Sequence, residues 1–348
     1  MINCIQQIGL GVTDIESAFT WIRKTFGINV PIFDDEGKPV FMTRYTGGII
    51  QSRRAILAAS MSGGCGFEIW QYTSRTPEGP GFTLKAGDLG IFAAKIKAPD
   101  VRVAFEEAEK RNVELIGGIV EDPTKSPHFF VTDPFGNLYQ VTGSTEWFSK
   151  RPAATGGVTG CIVGVSDIDR SRKLYSEVLG YDTVVYDETD VFSDLKPLPG
   201  GTDSLRRVLL KGGEPGGIFS RLVGPSAIEL VQSVSRPARK IFEHRFWGDL
   251  GFIHLCFDVY DMAGLKAECE KAGFVISVDS NDAFDMGQAA GHFTYIEDPD
   301  GTLIEFVETY RIPLVKKLGI YLNLRKRDPE KPLPDWMLKA LSLGRVKD

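Results

Sequence analysis

Apolar and polar positions follow one order four times along the chain. Each copy has an apolar strand, an aspartate, an amphipathic stretch and a closing Gly or Asn 12 or 13 positions after the aspartate. Asp accepts hydrogen bonds from the free N–H groups of a first helical turn, and Gly or Asn tolerates the left-handed conformation that ends a helix. The pattern therefore predicts four strand–helix pairs, whose helices begin after Asp14, Asp100, Asp167 and Asp261.

Each copy continues into several short strands and ends in a distinctive last strand. Two copies end in a tight turn and strand, DPFGNLYQVTG (133–143) and DPDGTLIEFVE (298–308), because Asp-Pro followed by Gly favours a hairpin turn. The other two end in FEIWQ (67–71) and IELVQ (228–232). The chain is predicted to be α+β, built from four βαβββ units and a C-terminal extension with a short helix. The predicted boundaries are 1–80, 81–150, 151–245, 246–312 and 313–348.

Composition limits the classes of protein that the sequence fits. The chain has 348 residues, 43% of them hydrophobic, and no apolar run of 18 residues, so we expect no transmembrane helix. The formal charge of −6 argues against a general nucleic-acid binder, although residues 313–348 carry nine Lys or Arg against four Asp or Glu. Five scattered cysteines without CxxC spacing, and a start without signal-peptide features, are typical of a cytoplasmic protein.

Two glutamates lie among apolar residues on predicted strands. Glu305 stands between Leu303 and Val307, and Glu68 lies in CGFEIWQY. Because side chains alternate between the two faces of a strand, each carboxylate shares a face with apolar neighbours, where an unpaired charge is costly. Each glutamate therefore needs a cation, a hydrogen-bond network or a metal ion as its partner.

The repeated unit and the DPDGxxIE ending resemble the vicinal oxygen chelate superfamily, over residues 1 to about 312. This group includes glyoxalase I, ring-cleaving dioxygenases, methylmalonyl-CoA epimerase and bleomycin-binding proteins. The resemblance implies two metal-ligand positions in each unit, one on the first strand and one on the last. The first-strand positions, seven residues before the capping Asp, are Gln7, Gly160 and His254, and the second unit, which has an extra residue before its Asp, offers Phe92 or Ala93. The last-strand positions are Glu68, Gln140, Glu229 and Glu305.

Two pairings of the units into two glyoxalase-like domains are open. If the first unit pairs with the fourth, one domain has the metal ligands Gln7, Glu68, His254 and Glu305. The other domain, from the second and third units, then holds no metal, and Glu229 is a relic or a hydrogen-bonded core acid. If units pair in chain order, Glu229, His254 and Glu305 make a three-ligand site. We prefer the first pairing.

The preferred ligand set, one imidazole and three oxygen donors, suits one divalent metal ion, with Zn or Ni preferred over Co, Mn or Fe. The order of these ligands along the chain, Gln, Glu, His and Glu, resembles that of eukaryotic-type glyoxalase I. The resemblance implies a lyase or isomerase that transfers a proton beside a metal-chelated oxygen pair of a small-molecule substrate, with Glu68 or Glu305 as base. Gly11 and Tyr72 replace the Arg and Asn that hold glutathione in glyoxalase I, so glutathione use is not implied.

Two alternatives remain from the sequence. An Fe(II) ring-cleaving dioxygenase of the extradiol or hydroquinone type needs two His and one carboxylate, whereas only His254 stands at a ligand position. Tyr295 matches a pocket tyrosine of such enzymes, although an aromatic that fills the barrel is the preferred interpretation. A non-catalytic small-molecule binding protein is the second alternative. Neither a nucleic acid nor a membrane is an expected partner, and a homodimer is compatible with all three interpretations.

The remaining polar residues are expected to have structural roles. Asp258 should face outward, Arg206 and Arg207 should be solvated at a strand edge, and KGGEPGG (211–217) should be a flexible insertion at the pocket rim. His128 and His244 are expected in polar loops, and His292 is expected to be structural, so none of the three receives a functional role. In the extension, a helix is predicted from about Asp335 to Leu343 as a lid or brace, with Trp336, Ala340 and Leu343 facing the body.

Overall fold

A computed structural model describes residues 1–281, 284–285, 290–315 and 319–347. Its strands are β1 (Ile2–Gly11), β2 (Val30–Gly37), β3 (Arg53–Ala59), β4 (Gly66–Tyr72), β5 (Gly90–Ala98), β6 (Glu114–Glu121), β7 (Pro127–Thr132), β8 (Leu138–Gly143), β9 (Val158–Gly164), β10 (Thr183–Asp190), β11 (Leu205–Lys211), β12 (Ala227–Ser233), β13 (Gly251–Val259), β14 (Val278–Asp279), β15 (Phe284–Asp285), β16 (Ala290–Glu297), β17 (Leu303–Val315) and β18 (Ile320–Asn323). Its α-helices are α1 (Ile15–Phe26), α2 (Val101–Lys110), α3 (Ile168–Arg172), α4 (Ser220–Val223), α5 (Met262–Lys271) and α6 (Asp335–Ala340).

Helices α1, α2, α3 and α5 follow the four aspartates of the repeat. Asp14 and Asp100 each accept two backbone N–H groups of the first turn, and Asp167 and Asp261 accept one each. Helix α1 ends at Gly27, which has the left-handed φ of 69°. The buried face of α1 consists of Ile15, Ala18, Phe19, Ile22 and Phe26. The predicted amphipathic helices are therefore confirmed.

The strands form two mixed sheets, and the predicted α+β class is confirmed. One sheet has the order β14-β16-β17-β13-β1-β4-β3-β2, with β15 paired to β16 and β18 paired to β17. The other has the order β10-β11-β12-β9-β5-β8-β7-β6. The first sheet thus joins the strands of residues 2–72 to those of residues 251–323, and the second joins the strands between them.

The centre of the first sheet places the candidate site. Strand β1 runs antiparallel to β13 with Gly9 opposite His254. Parallel strands flank this pair, so that Gly9 is next to Glu68 on β4 and Cys256 is next to Glu305 on β17. First-strand and last-strand side chains from both ends of the chain therefore meet at the middle of one sheet.

The C-terminal extension packs against both halves of the molecule. Leu333, Leu338 and Leu341 are buried in a cluster that also contains Leu222, whereas Trp336 and Leu343 are 65% and 64% exposed. The expectation that Trp336 and Leu343 face the body was wrong, because α6 ends at Ala340 and turns Leu338 and Leu341 inward. No helix in the described part of the chain combines the length and apolarity needed to cross a membrane.

Candidate metal centre

Three of the four predicted ligand residues lie together in the first sheet. Glu68, His254 and Glu305 are 5%, 0% and 7% exposed, and their candidate ligand atoms all lie within 4.8 Å of one another. His254 Nε2 is 3.1 Å from Glu305 Oε2 and 3.5 Å from Glu68 Oε2. Among the described residues, this is the one group of three or more His, Cys, Asp or Glu with converging ligand atoms.

Gly9 makes the space that the imidazole occupies. A Cβ atom at position 9 would lie 2.5 Å from His254 Cε1 and 2.8 Å from Nε2, closer than real Cβ contacts. Residue 9 is therefore restricted to glycine by the ring of His254. Gly9 was not predicted from the sequence, since glycine offers no ligand atom and its role depends on a strand about 245 positions away.

The geometry of the donor atoms fits a bound divalent ion. Donors that bind one ion at about 2.1 Å lie about 3.0–3.4 Å apart, close to the two distances measured from His254 Nε2. Both ring nitrogens of His254 and Glu305 Oε2 are buried without a hydrogen-bond partner among the described residues. Buried polar atoms normally have partners. Atoms at these distances are arranged as ligands of a common cation would be.

Gln7 faces the same side of β1 as Gly9, because the two residues are two apart with no register shift between them. Its side chain is 4% exposed, and Gln7 Oε1 is another buried atom without a partner in the described structure. Gln7 also lines the cavity beside Glu68 and Glu305. The placement is compatible with a fourth ligand, and that role stays a prediction.

The cluster carries more negative charge than its own imidazole balances. Burial, followed by the charge of Glu305, raises the pKa of Glu68 to about 7. Burial alone would lower the pKa of His254, yet the charges of Glu305 and Glu68 outweigh it and raise that pKa. The pKa of the Tyr295 hydroxyl is also raised, by burial and then by the same two carboxylates. A divalent cation would relieve this excess charge.

A cavity of about 460 Å³ opens beside the cluster. Glu68, Glu305 and Gln7 line it, whereas His254 is not among its lining residues. Both carboxylates predicted to be catalytic therefore face a space large enough for a small molecule.

Comparison with known proteins agrees with this fold. Residues 157–306 match the model of the Glyoxalase/Bleomycin resistance protein/Dioxygenase superfamily. The fold is similar to that of glyoxalase I from Zea mays, with 14% identity, a TM-score of 0.53, and coverage of 88% of this chain and 92% of that one. It is also similar to a Bacillus subtilis protein provisionally described as a dioxygenase, with 13% identity, a TM-score of 0.57, and coverage of 88% and 85%. No curated protein matches in sequence.

Residues 157–306 are thus similar in sequence to the vicinal oxygen chelate superfamily. At these identities the solved structures establish the shared fold alone. The ion and the reaction must be argued from the residues of this chain.

The equivalent place in the second sheet holds a lysine. Lys95 on β5 stands opposite Gly160 on β9, as Gly9 stands opposite His254. Lys95 Nζ donates to Gln140 Oε1 at 2.5 Å and to Glu229 Oε2 at 2.7 Å. An ammonium group thus binds both last-strand side chains. Lys95 was not predicted from the sequence because it stands two residues after Ala93, outside the predicted ligand positions, and because lysine is itself a cation.

Arg207 and His128 complete this buried network, contrary to expectation. Arg207 is fully buried rather than solvated, and it donates to Glu229 Oε1 at 2.6 Å and to both Asp194 oxygens at 2.8 and 2.9 Å. His128 is 1% exposed on β7, with Nε2 3.5 Å from Asp194 Oδ2, so its assignment to a polar loop was wrong. Burial would raise the pKa of Glu229, but Arg207 and Lys95 lower it strongly.

Asp258 was expected to face outward and is instead buried, with 1% of its surface exposed. Its carboxyl group accepts hydrogen bonds from Asn3 at 2.8 Å and Gln6 at 3.3 Å. Burial raises its pKa to about 7. Because Asp258 is four residues after His254 on one strand, alternation alone would have placed both on the same face.

The other polar residues and the glycine-rich insertion lie away from the cluster. His292 contacts Asp279 at 2.6 Å, and Arg206 forms exposed ion pairs with Asp169 and Asp187. In the insertion, Gly216 donates its backbone N–H to the backbone oxygen of Asn3. The insertion of the third unit therefore contacts the first strand of the chain.

Proposed function

We propose that this protein is a metal-dependent isomerase or lyase of the glyoxalase type. It would transfer a proton beside two adjacent oxygens of a small substrate. One observation carries the proposal: two buried carboxylates converge on a single imidazole and both line the cavity.

The residues proposed to hold the metal ion are Gln7, Glu68, His254 and Glu305. One nitrogen and three oxygen donors favour Zn or Ni, with Co, Mn or Fe as alternatives. A divalent ion bound there would polarise substrate oxygens and stabilise negative charge that develops on them.

The proton acceptor is proposed to be one of the two cavity carboxylates. Glu305 stands beside Cys256 on β13 and opposite Tyr295 on β16, so neighbouring side chains confine that carboxylate. Glu68 faces the cavity from β4 on the other side of His254. We therefore assign proton abstraction first to Glu68, and a positioning and second acid–base role to Glu305.

The Fe(II) dioxygenase alternative requires a second imidazole. In the described structure, His128 contacts Asp194 in the other half and His292 contacts Asp279, so neither supplements His254. This donor set favours proton transfer over oxygen chemistry.

Proton exchange in deuterated water tests the proposal. 2-Hydroxyacetophenone has two adjacent oxygens and C–H protons beside its carbonyl group, and NMR measures how fast these protons are lost. The metal-loaded protein should accelerate exchange, Glu68→Gln should abolish the acceleration, and Glu308→Gln, a control on the same strand as Glu305, should retain it. Metal-loaded protein that causes no exchange, or that consumes oxygen with catechol when loaded with Fe(II), would overturn the proposal.

A further inference from the structure

The walls of the cavity beside Glu68 and Glu305 are mainly apolar and aromatic. The aromatic side chains that line it are Phe33, Phe41, Trp70, Phe219, Trp247, Phe293 and Tyr295. Its aliphatic lining includes Met42, Leu57, Leu222, Val307, Ile312 and Leu341. The candidate metal ligands Gln7, Glu68 and Glu305 line the same cavity and define its metal-binding end. A ligand held by its oxygens at that end would therefore place the rest of its body against carbon.

The charged side chains of the lining leave little charge for recognition of an ionic substrate body. Arg53 is buried, and its guanidinium donates to Asp35 Oδ2 at 2.8 Å and lies 5.0 Å from the centre of the Trp70 ring. Glu36 and Lys38 are exposed at the mouth. Within the described lining, cations are thus either paired with a carboxylate or in contact with solvent.

One wall of the cavity is formed by two segments that lie outside the central strands of the first sheet. Leu222 comes from α4 of the third unit, and Leu341 comes from the C-terminal extension. Both line the cavity, and both belong to one apolar cluster with Ile312. The volume of about 460 Å³ is therefore bounded by packed side chains on that side. It is about three times the volume of a cavity that binds benzene.

We infer that the substrate is a compact molecule with two adjacent oxygens at one end and an aromatic or branched apolar body at the other. A large polar conjugate such as a peptide or nucleotide thioester does not match this wall chemistry, since its polar groups would lose water without gaining partners. This inference rests on the proposed function, because it assumes that the oxygens bind at the metal ligands.

Two hydroxamates with the same chelating group test the inference. Benzohydroxamic acid adds a phenyl body, and acetohydroxamic acid adds only a methyl group. Their dissociation constants for the metal-loaded protein can be measured by calorimetry and by fluorescence of Trp70 and Trp247. We expect benzohydroxamic acid to bind about 100-fold more tightly, because each buried carbon contributes to apolar transfer.

Two extension variants show whether this preference comes from the cavity wall. Leu341→Ala should reduce the ratio of the two dissociation constants several-fold. Leu324→Ala removes a leucine of the same apolar cluster that does not line the cavity, and should leave the ratio unchanged. Met42→Ala, in a different wall, is a second test if Leu341→Ala does not fold.

The outcomes separate the inference from the proposed function. If neither hydroxamate binds the metal-loaded protein, the proposed chelation at the metal ligands fails. If both bind with equal affinity, chelation stands and the apolar substrate class is overturned. Tighter binding of a glutathione-linked hydroxamate than of benzohydroxamic acid would also overturn it.

Discussion

Lys95 is predicted to contribute several kcal/mol to the stability of the second sheet. Its ammonium lies 2.7 Å from Glu229 Oε2, and the two side chains are 7% and 1% exposed. Removing one partner of a buried ion pair costs roughly 3–5 kcal/mol, because the remaining charge is left without compensation. Glu229 retains Arg207 at 2.6 Å, so we expect the lower end of this range, about 3 kcal/mol, for Lys95→Met.

Urea unfolding of the metal-free full chain, followed by circular dichroism and tryptophan fluorescence, measures this change. Two probes are needed because two halves of one chain can unfold in separate steps. Lys97→Met is the matched control: Lys97 is buried on the same strand, with its ammonium 4.8 Å from the centre of the Trp147 ring. Burial lowers the pKa of Lys97, so its loss should cost less than about 1 kcal/mol.

A double-mutant cycle with Glu229→Gln isolates the interaction itself. The coupling between Lys95 and Glu229 should exceed about 1 kcal/mol, since both charges are buried and in contact. Equal destabilisation by Lys95→Met and Lys97→Met, with no coupling between Lys95 and Glu229, would refute the idea that the Lys95 ammonium neutralises the buried Glu229 carboxylate of the second sheet.

Two further predictions concern the first sheet. Gly9→Ala should weaken metal binding at least about ten-fold, because its added methyl group would displace the His254 ring. The control Gly118→Ala, whose added methyl group would have no atom within 4 Å, should leave the metal affinity unchanged. Metal titration measures both affinities, and equal values for the two variants would contradict the role of Gly9. For Asp258, the folded-state pKa of about 7 exceeds the unfolded value of about 3.9, so its stabilisation is complete below about pH 4 and is lost as the pH rises to about 7. The free energy of unfolding of Asp258→Asn, relative to that of the wild type, should therefore be about 4 kcal/mol higher at about pH 8 than at about pH 4. A difference between the two proteins that does not change with pH would contradict this.

Local signals in the sequence were sufficient for the fold class. Asp14 and Gly27 mark the ends of α1 with their own capping bonds, and such signals need no distant partner. The repeat then aligned Glu68, His254 and Glu305, which the structure brings together. Alignment of equivalent positions works here because the register between first and last strands is the same in each unit.

Residues whose environment is made by a distant strand were harder to predict. Gly9 and Lys95 occupy equivalent positions, yet one makes room for an imidazole and the other fills its place with an ammonium. The burial of Arg207 depends on Asp194 and Glu229, which lie in other segments. In the extension, inward-facing Leu338 could not be distinguished from exposed Trp336 by periodicity in a helix of six residues.

Metal content tests the central claim most directly. Protein purified without added metal, its Glu305→Ala variant and the second-half control Glu229→Gln can be compared by mass spectrometry. We predict about one Zn, Ni, Co, Mn or Fe ion per chain in the wild type and in Glu229→Gln, and none in Glu305→Ala. Wild-type protein that holds no metal even after reconstitution, or a Glu305→Ala variant that keeps its ion, would contradict the proposed metal centre.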